Sequence, residues 1–328
     1  MPTPRKTNDP ARIKIIVDNS HLSIRQIQAI LDKASLPLSY GAISEIRRFY
    51  KDHKLEQPDQ PQKRPLDIPE PSPLAGGVDL PESLSVPYTR FLIDQPGVWV
   101  VLSDVHLPYH DVATVRAAIQ TARNLNANLL LNGDILDCPE LSDHERNKSD
   151  VRFSDEVNIG RQFFEWVRSQ LPKSRIIYKE GNHEERLPRY LSRNAQAVED
   201  FVSIPELLEL EDYGVEWVAD KRVIQLGKLP ILHAHEYRGG GGVNPARWLF
   251  LRTVSTALCG HFHRTSEHHQ RGLTDTVHGV WSVGCACYLH PKYMPLNEWN
   301  HGFSIVTVHD TAGLFNVDNK RVRGGVIL

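Results

Sequence analysis

The chain has 328 residues, 40% of them hydrophobic and 24% charged, and a formal net charge of −2. These values fit a globular protein with room for one large catalytic domain and something smaller. They give no global push towards nucleic acid or membrane; no run reaches the roughly 18 apolar residues of a membrane span, and the N-terminal MPTPRKTNDPARIK lacks a signal peptide's apolar core, so a cytoplasmic protein is expected.

Charge is uneven along the chain. Residues 1–56 hold ten Lys/Arg against six Asp/Glu, which leaves about −6 on the remainder. Within this stretch Ile24, Ile27, Ile30 and Leu31 recur at helical spacing behind Ser23, a suitable N-cap. Ser39 is placed to cap a second helix carrying Ile43, Ile46, Phe49 and Tyr50. Two short amphipathic helices with a tight connection resemble a helix-turn-helix. In that reading Arg47 and Arg48 meet phosphates, while Ser39, Tyr40 and Ser44 face base edges of DNA. The same residues also fit a helical docking or dimerisation hairpin with solvated arginines.

Residues 57–95 read as a linker, because eight prolines and a Gly-Gly pair between 57 and 87 disfavour regular structure. From residue 96 to 328 the pattern is α/β. GVWVVLSDVH is a near-continuous apolar strand with a polar end, DVATVRAAIQTARNL an amphipathic helix, and NLLLNGD a second buried strand. A helix near 155–170 leads to RIIYKEGNH, followed by LPILHAHE, a helix in NPARWLFLRTVS, and ALCGHFH. Five strands therefore end in Asp, His or Asn, and C-terminal strand ends are where α/β sheets bind ligands.

The endings are Asp104-Val-His106, Gly133-Asp134-Ile-Leu-Asp137, Gly181-Asn182-His183-Glu184, His233, and Gly260-His261-Phe-His263. Carboxylate oxygen with imidazole nitrogen suits divalent ions such as Mn, Fe or Zn, and an asparagine oxygen adds a neutral ligand. Six or seven ligands exceed the need of one tetrahedral ion. Two ions sharing a carboxylate, about 3.5–4 Å apart, are the economical solution. LHAHEY offers both His233 and His235; His233, directly after the apolar run, is preferred. The four cysteines contain no C-x-x-C pair and read as small buried thiols in a reducing compartment.

In this order the motifs resemble those of the calcineurin-like metallophosphoesterase superfamily, D-x-H, G-D-x-x-D, G-N-H-[DE], H and G-H-x-H, over about residues 98–263. The resemblance implies a four-layer αββα sandwich with a dinuclear site at one edge. By motif, Asp104, His106, Asp134 and His263 resemble the ligands of a first metal. Asp134 would bridge, and Asn182, His233 and His261 would complete a second. His183 resembles the histidine that protonates the leaving group, and Asp137 its orienting partner. Activity is then expected from two divalent ions, manganese first with iron, zinc or nickel as alternatives, through a metal-bridging hydroxide.

The protein phosphatase branch has Arg-Gly after G-D-x-x-D, whereas Cys138-Pro139 stands here. The surrounding sequence is more similar to phage and prophage members, for which phosphodiester or DNA-related roles are inferred. Arg146, Arg186 and Arg189 lie close in sequence to the motifs and are candidate substrate phosphate contacts, against a bland reading as surface charge. The four glycines 239–242 suggest a site rim or lid, or backbone N–H groups that cradle phosphate. The leading reading is a phosphodiesterase or DNA-related phosphoesterase. Alternatives are a phosphomonoesterase or protein phosphatase with an N-terminal docking module, and a DNA-binding adaptor with a vestigial catalytic body.

Overall fold

Along strand β2 (Gly97–Leu102) of the computed structural model, successive side chains enter two different cores. Val100 and Leu102 pack beneath helices, while Trp99 and Val101 face a second sheet. A strand buried on both faces needs apolar residues at every position, which is why GVWVVL shows no polar alternation. The structure describes residues 10–19, 24–38, 42–44, 83–142, 151–273 and 275–328. The chain divides into two units, Met1–Pro87 and Tyr88–Leu328.

The larger unit holds two sheets. One has seven strands in the order β13-β12-β11-β2-β3-β4-β5, with β3 Asn128–Asn132, β4 Ile176–Lys179, β5 Val215–Val218, β11 Gly302–Val308, β12 Phe315–Arg323 and β13 Val326–Ile327. Strands β2 to β5 run parallel, and β11 pairs antiparallel with β2. The other has six strands in the order β1-β6-β7-β8-β10-β9, with β1 Phe91–Ile93, β6 Ile224–Leu226, β7 Leu229–Leu232, β8 Ala257–Cys259, β9 Ser266–Arg271 and β10 Val277–Ser282. Here β7, β8 and β10 are parallel.

Trp99, Val101, Leu130 and Ile177 of the first sheet meet Ile224, Leu229, Ile231 and Leu258 of the second in one core. Outside the seven-stranded sheet lie α3 (Val112–Asn124), α4 (Phe153–Gln170) and α5 (Arg186–Asn194), through Val115, Ile119, Phe164, Val167 and Leu187. Outside the six-stranded sheet lies α7 (Pro245–Thr253), through Ala246 and Leu249, and a single turn, α6 (Ile204–Leu207), precedes β5. This is the expected αββα layering. Asp111 caps α3 by accepting from Thr114 N at 2.7 Å, and Asn244 caps α7 by accepting from Arg247 N at 2.9 Å.

Two expectations change. The linker read as 57–95 loses its end, because Phe91–Ile93 form β1 beside β6. Three residues between prolines carry too little periodicity to announce a strand. In the smaller unit, a helix α1 (Pro10–Asp18) precedes α2 (Ile24–Lys33), and only α2 is expected from the sequence. Ile16, Ile27, Leu31 and Ile43 form its small core, with 42–44 helical. The rest of the second expected helix lies outside the described residues. Among the described residues no helix is long and apolar enough to cross a membrane.

Candidate metal centre

The five expected strand ends are those of β2, β3 and β4 in one sheet and β7 and β8 in the other. Side chains stitch the two together at this edge. Asn132 Nδ2 donates to the Leu232 carbonyl at 3.0 Å, and His233 Nδ1 donates to the Asn132 carbonyl at 2.7 Å. Just past the strands the backbone leaves the extended region: Asp104 (φ 56°), His106 (49°), Asp134 (53°), His261 (71°) and His263 (58°) are all left-handed. A non-glycine residue there costs of order 1–3 kcal/mol and persists when its surroundings fix it.

Hydrogen bonds supply that constraint. Asp104 N and His106 N donate to the Gly133 and Asp134 carbonyls at 3.1 and 3.0 Å. Both oxygens of Asp104 accept from His261 N, at 3.1 and 2.9 Å. Phe262 N donates to the Gly260 carbonyl at 2.9 Å, closing a tight turn around His261. The left-handed residue of that turn is His261, and at Gly260 the need is for space. A Cβ at Gly260 would overlap Ser103 Oγ and press on Asp104 Oδ2.

Two ligand-forming groups share one carboxylate. Asp104, His106 and Asp134 converge, as do Asp134, His233 and His261. His263 Nε2 lies 3.2 Å from Asp104 Oδ1 and 3.2 Å from His106 Nε2, and His233 Nε2 lies 3.1 Å from Asp134 Oδ2. His106 Nδ1 donates to Asp137 Oδ1 at 2.8 Å, which leaves Nε2 facing the cluster. Buried Asn182 Oδ1 accepts no hydrogen bond among the described residues. An orphaned oxygen, convergent imidazoles and a shared carboxylate fit divalent cations well. His235 turns away, with Nε2 2.7 Å from Glu185 Oε1.

Electrostatics point the same way. Burial would raise Asp104 and Asp134, but the facing histidines outweigh it and hold both carboxyls below the usual range. Burial would lower His233 and His263; Asp134 and Asp104 instead push them up to about 10 and about 9. His261 is pushed down to about 4 by burial and by His233.

His183 stands beside this cluster. Its backbone N–H donates to Asp134 Oδ1 at 2.9 Å, and its Nδ1 donates to the Asp137 carbonyl at 2.7 Å. The Asp137 carboxylate is 3.3 Å from that Nδ1 and closer to His106, so Asp137 orients both rings. Arg186 Nη2 donates to His183 Nε2 at 3.1 Å, and its Nη1 to the Asp137 carbonyl at 2.7 Å. Arg189 is engaged elsewhere, donating to the Asn182 carbonyl at 3.1 Å and to Glu185 Oε2 at 3.2 Å. Arg146, Ser39, Tyr40, Arg47 and Arg48 lie outside the described residues; Ser44 is helical and half-buried.

Several organising residues have no ligand-like signature in the sequence. Buried Glu184 accepts from Asp134 N, Ile135 N, Leu136 N and Gly181 N at 2.8–3.0 Å and from the Tyr178 hydroxyl at 2.6 Å. It closes the G-N-H-E motif, where the sequence alone gives it no role. Glu156 accepts from Asp137 N and Cys138 N at 2.7 Å each. Lys179, at the end of β4, pairs with Glu236 at 2.9 Å, and Glu236 in turn accepts from His233 N and Ala234 N. The glycine stretch is packed against the site's edge: Gly241 (φ 70°) lies where a Cβ would overlap the Phe262 ring.

A four-layer sandwich with acidic and imidazole ligands converging from both sheets defines a metal-dependent phosphoesterase. The family model described as calcineurin-like phosphoesterase matches residues 99–265, and the chain belongs to that family. Gene 54 protein of Mycobacterium phage L5 is 25% identical over 250 residues, which cover 67% of this chain and 96% of that protein. Among solved structures, a single mutant of Vps29 from Entamoeba histolytica aligns with a TM-score of 0.34 and 10% identity, over 69% of this chain and 99% of that one. A cold-active protein-tyrosine phosphatase from a psychrophilic Shewanella aligns with a TM-score of 0.32 and 14% identity, over 73% and 86%.

Proposed function

We propose that the protein hydrolyses phosphodiester bonds, in a nucleic-acid-related role within the cytoplasm, at a centre of two divalent ions. The observation that carries the two-ion centre is the pair of ligand groups sharing Asp134; the phosphodiester reading rests on the phage-like motif sequence and on Cys138-Pro139 after Asp137. Asp104, His106, Asp134 and His263 would hold one ion; Asp134, Asn182, His233 and His261 would hold the other. Manganese is the first expectation, with iron, zinc or nickel as alternatives. Such ions, when bound, supply an activated water and a positive field for the phosphoryl oxygens.

The chain's own residues do the rest. His183 is the proton donor to the leaving oxygen. Burial lowers its pKa, but Asp134 and Asp137 outweigh that and raise it, so the ring keeps its proton to a higher pH. Asp137 fixes the ring through Nδ1; Nε2, which here accepts from Arg186, becomes the reacting atom once Arg186 turns to a phosphate oxygen and Nε2 takes up the proton it will donate. A phosphate oxygen near Nε2 would meet the Arg186 guanidinium at the same place, and Arg186 is assigned to bind it. With Cys138-Pro139 in place of Arg-Gly, the residues after Asp137 do not favour a protein phosphatase.

The N-terminal unit is assigned to DNA, through Arg47 and Arg48 on phosphates and Ser39, Tyr40 and Ser44 on bases. In Mn²⁺, wild-type protein should hydrolyse an aryl phosphodiester faster than the matching monoester, and His183→Asn should lose at least about a hundredfold in rate. A tenfold preference for the monoester would favour the phosphomonoesterase reading. Duplex DNA should bind the full chain with an affinity that falls steeply with salt; no binding at low salt would leave the N-terminal unit as a docking module.

A further inference from the structure

Between β10 and β11 the chain forms a lip beside the ligands. Asn297 Nδ2 donates inward to the carbonyls of Leu289 and Met294 at 2.6 and 2.8 Å, and its Oδ1 accepts from Trp299 N at 2.9 Å. Asn300 N donates to the carbonyl of His263 at 2.9 Å, so the loop is tied to a ligand residue. Arg264 bridges it to the glycine stretch, donating to Glu298 and to the Gly242 carbonyl. Asn297 and Asn300 are used internally, while Tyr288 (59% exposed), Tyr293 (74%) and Leu296 (93%) are exposed beside the exposed His290, Lys292 and Glu298.

The lip leads directly to the centre. The Trp299 ring sits 4.1 Å from that of His263, and the Tyr293 ring 6.5 Å from Trp299. On the other side Tyr288 N donates to the Tyr109 carbonyl at 2.7 Å, which joins the lip to the segment after His106 and to the exposed Tyr109 ring.

We infer that this lip is a base-stacking platform: Tyr293, backed by Trp299, takes a nucleobase next to the scissile phosphodiester, which makes single-stranded nucleic acid the substrate class. The inference rests on the phosphodiester reading above. A flat exposed ring beside a phosphate-directed centre suits a base because every base presents a π-face. Across the cluster, reached through His263, His106 and His183, the Arg186 guanidinium complements the substrate phosphate.

The test compares fluorescently labelled phosphorothioate-linked oligothymidylate, which resists hydrolysis, with an abasic phosphorothioate oligomer of equal length, by anisotropy on the Mn²⁺-loaded protein. Wild-type protein should bind the oligothymidylate about tenfold more tightly, the scale expected of one stacked base. Tyr293→Phe keeps the ring and should keep the preference; Tyr293→Leu should bring the two affinities within about twofold. Equal affinities in the wild type, or an undiminished preference in Tyr293→Leu, overturn the platform. Competition by a tyrosyl phosphopeptide tenfold better than by unlabelled oligothymidylate would also overturn it and assign the lip to a phosphoprotein. Hydrolysis is scored separately in Mn²⁺ on an aryl phosphodiester, so a dead centre and a lip without base preference give different results.

Discussion

Glu184 shows how single residues hold a strained centre. Its carboxylate gathers four backbone N–H groups and a phenol, and those bonds fix the left-handed Asp134 that both ligand groups use. In Glu184→Gln an NH₂ group would face N–H donors. The loss should be about 3 kcal/mol or more, seen as a melting temperature lower by about 6–12 °C. Titration of the metal-free protein gives a second prediction. His233 and His263 carry folded-state pKa values of about 10 and about 9, above the ordinary 6.5. Their pairing with Asp134 and Asp104 stabilises fully below pH 6.5 and is lost as pH rises through those values. The melting temperature of metal-free protein should therefore fall between about pH 6.5 and 10. Metal loading at pH 7 should release protons, because ligand imidazoles must be neutral. An absence of proton release in calorimetry across buffers of different ionisation enthalpy would contradict the assignment of these two histidines.

Among the elements, β4 and β7 belong to different sheets, and Lys179–Glu236 joins their ends. Both side chains are almost fully buried, so Lys179→Met leaves a buried carboxylate without its cation and should cost about 3–5 kcal/mol. Lys179→Met with Glu236→Gln should recover part of that loss in denaturant unfolding; no recovery would mean the pair is not the source. The five strands that reach the centre were legible because each apolar run stops abruptly at a polar motif, and the order of the motifs fixed the family resemblance. Strand β1 was not, since Phe91–Ile93 is three residues long in a proline-rich stretch. Glu156 was not either. In the first turn of α4 it looks like any acidic residue near a helix N-terminus, and its burial depends on loops distant in sequence. Nor did residues 288–299 announce a lip, because exposure of aromatic side chains is decided by packing that local pattern does not encode.

For the whole molecule, the family match and the αββα layering establish a metal-dependent phosphoesterase, and the seven proposed ligand positions come from five strand ends in two sheets. Such a centre forms only when both sheets are docked, so metal binding should stabilise the larger unit as a whole. Removal of metal should lower its melting temperature in a single cooperative transition. Substrate class and the use of the N-terminal unit are proposals, resting on Tyr293 and on the basic sequence around Arg47. The central claim is the shared carboxylate. It is tested most directly by counting ions per chain, by elemental analysis after loading with Mn²⁺ and dialysis, in wild-type protein and in Asp134→Asn, with the hydrolysis rate measured on the same samples. The account predicts two ions in the wild type, and at most one in Asp134→Asn with at least about a hundredfold loss of rate. Two ions and an unchanged rate in Asp134→Asn would contradict it.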